Sequence, residues 1–156
     1  MRKLLASALL YLVALTSVAV DVSPRTVLNK GRTSLSASDW VVDIFADNII
    51  GGCSRLPQSR GVASSGTLKI VQISLKRHGV PLPLVRGCVI CSLASAHHAS
   101  LSVANDIGTL SIVGGDAASA YRTELVFDRR GIREILSFGE SGELYQETKF
   151  HEIEVP

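Results

Sequence analysis

The chain has 156 residues, of which 46% are hydrophobic, 19% charged and 5% aromatic. That is the length of one domain, and it matches no disordered, collagenous or coiled-coil composition. Sixteen Lys and Arg against fourteen Asp and Glu exclude a nucleic-acid binder driven by bulk positive charge, and three cysteines are too few for a disulfide-dense miniprotein.

At the N-terminus, Arg2 and Lys3 precede an apolar run over residues 4–15, and Ser17 and Ala19 stand where a signal peptidase reads small residues. This is the three-part pattern of a secretory signal peptide over residues 1–19. The run falls short of the roughly 20 apolar residues that span a bilayer, so no stable membrane insertion is expected after cleavage. The expected location is secreted: extracellular, or periplasmic in a bacterium. Without Arg2 and Lys3 the acidic and basic residues balance, yet residues 20–86 carry a net +5 and residues 87–156 a net −5. Such opposed halves either attract within one fold or present two faces to partners.

Residues 20–38 are polar, with Pro24 and Gly31 and no apolar period, and read as a flexible leader. A helix is expected from Ser36 or Ser38, either of which can cap it. Trp40, Val41, Ile44, Phe45 and Ile49 follow at helical spacing, Asp39, Asp43 and Asp47 repeat every four residues, and Gly51-Gly52 ends the segment. Residues 53–66 read as loop. Residues 67–76 read as a strand whose apolar phase changes, which predicts a bulge near Ile70; Arg77-His78-Gly79 then turns the chain. Residues 88–104 fit either a helix or a strand pair.

Four strands are expected over residues 109–113, 121–128, 132–138 and 143–155, punctuated by Gly114-Gly115-Asp116, Arg129-Arg130-Gly131 and Glu140-Ser141-Gly142. Links this short exclude crossover helices and predict an antiparallel meander. The expected fold is α+β and strand-dominated, one N-terminal amphipathic helix packed on the meander, with residues 39–156 forming a single compact domain. Phe127, Phe138 and Phe150 are expected to share its core with Trp40.

Cys88-Val-Ile-Cys91 is the first candidate for chemistry, as a redox pair or, with His97 and His98, a zinc site. A structural disulfide from Cys53 to Cys88 or Cys91 is the preferred reading, since closing that loop stabilises a small exported domain. No Gly-x-Ser-x-Gly elbow and no phosphate loop occurs, so no catalytic residue, metal or other cofactor is expected and the chain is read as not an enzyme. The acidic C-terminal residues Glu140, Glu143, Glu147, Glu152 and Glu154 are the candidates for an interaction surface.

Two resemblances accompany these readings. The segments Phe127-Asp-Arg-Arg-Gly131 and Phe138-Gly-Glu-Ser-Gly142-Glu-Leu144, closing at Phe150, resemble the strand-turn-strand units of RHS/YD-type repeats over about the last thirty residues. With barely two units they read as hairpin grammar rather than ancestry. The plan of signal peptide, polar leader and compact Cys-poor domain is similar to small secreted effectors of plant-associated fungi and oomycetes, which implies a host protein as partner. The function expected is therefore a small secreted, non-enzymatic interaction module, including a host-directed virulence effector. The alternative is a periplasmic or cell-envelope protein using Cys88 and Cys91 for redox or metal binding.

Overall fold

The structure is a computed structural model that describes residues 20–48, 68–82, 93, 95–115 and 120–149. Eleven strands are formed there: β1 (Asp21–Val22), β2 (Thr26–Val27), β3 (Gly31–Ala37), β4 (Trp40–Asp47), β5 (Lys69–Arg77), β6 (Val80–Pro81), β7 (Ala96–Ala104), β8 (Ile107–Gly114), β9 (Tyr121–Asp128), β10 (Gly131–Phe138) and β11 (Leu144–Lys149). They build two antiparallel sheets. The larger runs β1-β7-β8-β9-β10-β11, with β2 also on β7; the smaller runs β3-β4-β5-β6.

The strand-dominated, antiparallel character is as expected, but no helix occurs among the described residues, and the segment expected as the N-terminal helix is β4. Asp43 and Asp47 repeat at four, an even number that keeps a face in a strand as well as in a helix. The alternation decides between them: Trp40, Val42, Ile44 and Ala46 point into the core, while Val41, Phe45 and Asp47 are half-buried on the other side. β-Branched and aromatic side chains suit that pleated surface. Ser38 takes a left-handed φ of 52° in the β3–β4 turn instead of capping a helix. The residues read as a leader hold β1, β2 and β3. Ser23, between β1 and β2, holds the backbone of Leu101 on β7 from both sides, its N–H donating to the Leu101 carbonyl at 2.7 Å and its side-chain Oγ accepting from the Leu101 N–H at 2.9 Å. Leu28, Leu35 and Ala37 add apolar anchors to the core.

The bulge expected near Ile70 is present. Phe45 pairs with Gln72 and the next residue, Ala46, pairs with Ile70, so Val71 is the extra residue and is 40% exposed. The β5–β6 turn at His78 and Gly79 and the β7–β8 turn at Asn105 and Asp106 each place two consecutive residues at positive φ, the geometry that matches strand twist in two-residue hairpins. Pro81 ends the short β6, where a missing N–H discourages further pairing at a sheet edge.

Both sheets contribute to one core. Its centre is the pair Trp40 and Phe127, fully buried and edge-to-face with centroids 4.9 Å apart. Phe127 lies over Gly108, its Cα partner on β8, and a Cβ on Gly108 would overlap the ring. Arg77 closes one end. Its guanidinium carbon lies 5.3 Å from the Trp40 ring centre, and it binds Asp39 in the β3–β4 turn and Asp106 in the β7–β8 turn, each at 2.7 Å. That contact joins the turns of the two sheets. The Arg77 hydrogen bond holds the Asp39 carboxyl below the usual carboxylate range.

The meander of β9, β10 and β11 is formed in order, preceded by β7 and β8. Two expectations are corrected here. Phe138 does not join Phe127 in the core: the pairing skips Arg133 between Ile132 and Glu134, which reverses the phase so that Ile135 is buried and Phe138 faces outward. Phe150 lies outside the described residues. The disulfide expected from Cys53 to Cys88 or Cys91 is the second correction: no disulfide bond is present among the described residues, and all three cysteines lie outside them.

Candidate interaction surfaces

Alternation along the larger sheet sends Arg122, Glu124 and Val126 of β9, then Glu134, Leu136 and Phe138 of β10, to its outer side. Registration places them in rows. Arg122 is the direct partner of Phe138, Glu124 of Leu136 and Val126 of Glu134. On β11, Leu144 stands beside Phe138, Glu147 beside Leu136 and Lys149 beside Glu134. The result is a surface in which half-exposed apolar side chains alternate with charges. The Arg122 guanidinium carbon sits 4.3 Å from the Phe138 ring centre, a stacked contact that sheet pairing enforces. Leu144 is 52% exposed.

Charge on this face is uneven. Arg122 and Glu124 pair at 3.2 Å and neutralise each other. Glu134 and Glu147 share one cation: Lys149 Nζ lies 2.8 Å from Glu147 and 3.7 Å from Glu134. Hydrogen bonding to the Glu147 carboxyl holds Glu134 above its ordinary pKa, whereas Lys149, followed by Glu134, holds Glu147 below it. Two carboxylates against one ammonium leave a local negative excess beside Leu136 and Phe138.

The outer side of the smaller sheet shows the opposite imbalance. Asp43 lies on the central strand β4, and its side chain is 3% exposed although it faces away from the core. Burial raises its pKa, but hydrogen bonds from Ser34, Arg32 and Lys76 outweigh burial and leave it lowered. Arg32 Nη2 approaches at 2.8 Å and Lys76 Nζ at 3.2 Å. Two cations thus converge on one carboxylate between Val41 and Phe45. The two outer faces thus carry local imbalances of opposite sign, basic at Arg32–Asp43–Lys76 and acidic at Glu134–Glu147–Lys149.

Of the expected interaction residues, Glu147 lies within the acidic surface. Glu140 is exposed in the β10–β11 turn, and Glu143 ends that turn, its backbone carbonyl accepting from Gly139 N–H at 3.0 Å and its carboxylate from Ser141 Oγ. Glu152 and Glu154 lie outside the described residues. Glu134, Arg122 and Phe138 belong to the surface and were not among the expected members; the bulge at Arg133 hides their common orientation from a period-two reading.

His97 and His98 open β7, the first at a shift in register. His97 Nε2 lies 2.9 Å from the Gly115 carbonyl and His98 Nδ1 3.4 Å from Arg25. Among the described residues no three His, Cys, Asp or Glu side chains group as metal ligands, and no helix is long and apolar enough to cross a membrane.

The fold and these faces define the class, an antiparallel two-sheet β protein with oppositely charged outer surfaces. Comparison with family models, characterised proteins and solved structures gives no match.

Proposed function

We propose that the chain is a small exported, non-enzymatic interaction module whose acidic outer face, on β9, β10 and β11, docks on a basic protein surface, with a host protein as the partner class. The observation that carries the reading is the Glu134–Glu147 pair, two carboxylates opposed among the described residues by Lys149 alone and set beside Leu136, Phe138 and Leu144. Apolar contact supplies binding energy at such a face, while the unbalanced charge selects a partner and speeds encounter. Export rests on the signal-peptide pattern of residues 1–19, and the host direction on the similarity to small secreted effectors.

The test compares proteins retained from host and self extracts by the parent chain and by Glu147→Lys. Glu147 is exposed, so the substitution is expected to leave the melting temperature unchanged while weakening capture of the partner on the order of tenfold or more. Equal capture by both proteins would refute the acidic face as the binding surface.

A further inference from the structure

The two outer faces match each other in more than sign. On the smaller sheet, Arg32 and Lys76 converge on Asp43, two cations to one carboxylate, with Val41 and Phe45 half-buried on either side along β4. On the larger sheet, Glu134 and Glu147 converge on Lys149, two carboxylates to one cation, with Leu136 and Phe138 half-buried alongside. Each cluster lies on a sheet's outer face rather than in a loop, so strand pairing fixes its shape before any partner arrives. Among the described residues the two clusters do not relieve each other within one molecule, because they lie on the outer faces of different sheets while the inner faces share the core.

We infer that the Arg32–Asp43–Lys76 face of one molecule receives the Glu134–Glu147–Lys149 face of a second copy, head to tail. This inference rests on the acidic face being a binding surface and adds the occupant: the chain's own basic face. Bringing the clusters together supplies each excess charge with the partner it lacks, and the flanking Val41, Phe45, Leu136 and Phe138 exclude water from the contact. A contact between two different patches is heterologous. With the patches on opposite sides of the molecule, it does not close into a dimer but propagates as an open chain. Screening weakens attraction between exposed charges over about 10 Å at ~0.1 M salt, so assembly falls as salt rises. A basic foreign surface would compete for the same acidic face.

Sedimentation velocity on the mature chain, at roughly 0.02 M and 0.5 M salt, reads this directly. The parent is expected to show a mass that climbs with protein concentration at low salt and returns to the monomer at high salt. Lys76→Glu, which disables the basic face, and Glu147→Lys, which disables the acidic face, are each expected to remain monomeric alone. Mixed in equal amounts they are expected to assemble again, because the intact acidic face of the first meets the intact basic face of the second, and the two reversed faces also carry opposite signs. If Lys76→Glu fails to fold, Arg32→Gln takes its place, leaving Asp43 bound by Lys76 and Ser34. A parent that stays monomeric at low salt, or single variants that assemble as the parent does, overturns the inference. Loss of foreign-partner capture in Glu147→Lys beside a monomeric parent means that only the self-association fails. Unchanged capture and unchanged assembly in that variant mean that the acidic face itself fails.

Discussion

The indole of Trp40 and the ring of Phe127 meet edge to face with centroids 4.9 Å apart, one from β4 of the smaller sheet and one from β9 of the larger. Both are fully buried, so the contact is the joint between the sheets rather than a feature of either. Truncation of Phe127 to Ala removes it, empties the space above Gly108 and leaves the surrounding strands held by their ladders. The expected cost is about 3–5 kcal/mol, read as a shift in the midpoint of chemical denaturation.

Gly108 tests the same joint from the other side. A Cβ there would overlap the Phe127 ring, and because that ring is wedged between sheets it has little room to move. Gly108→Ala is expected to destabilise by about 1–3 kcal/mol, despite adding one methyl group to a strand and reducing backbone freedom in the unfolded chain. Parent-like denaturation of Gly108→Ala would place the Phe127 ring elsewhere.

Asp43 supplies a prediction in pH. Its folded pKa lies below the unfolded value of 3.8, so the folded state binds fewer protons there. The stability it contributes is present above that unfolded value and is lost as pH falls through the lower folded one. Asp43→Asn keeps the shape but not the charge, and is expected to cost about 1–3 kcal/mol at neutral pH through weakened hydrogen bonds from Arg32, Lys76 and Ser34. It should also flatten the acid limb below about pH 4. Denaturation midpoints of parent and variant, followed from pH 7 to pH 2, check both; an acid limb of unchanged slope would show that Asp43 is not the group titrating.

Much of the larger sheet was legible in the sequence because its turns are chemically explicit. Arg129-Arg130-Gly131 and Glu140-Ser141-Gly142 separate runs rich in β-branched and aromatic residues, and β9 spans the expected residues 121–128. The phase change at Ile70 likewise announced the Val71 bulge. Three features were not legible. The Asp repeat at β4 is compatible with helix and strand alike, so the choice falls to tertiary packing. β7, with its Ala and Ser content, carries no strong local preference and becomes a strand through pairing with β8. The bulge at Arg133 has no marker in its residues, yet it turns Phe138 from the inner face to the outer one and thereby determines the composition of the acidic surface.

Phe138→Ala is therefore the most direct single measurement, made on one variant as a melting curve and a partner-capture assay together. Phe138 lies outward beneath Arg122, so removal of its ring is expected to cost about 1 kcal/mol, the scale of a half-exposed cation–π contact, well short of Phe127→Ala. Capture of the partner is expected to fall on the order of tenfold, since the ring is the largest apolar group among the described side chains of that face. A melting loss as large as that of Phe127→Ala, with capture unchanged, would place Phe138 in the core and contradict the outward acidic surface as the site of binding.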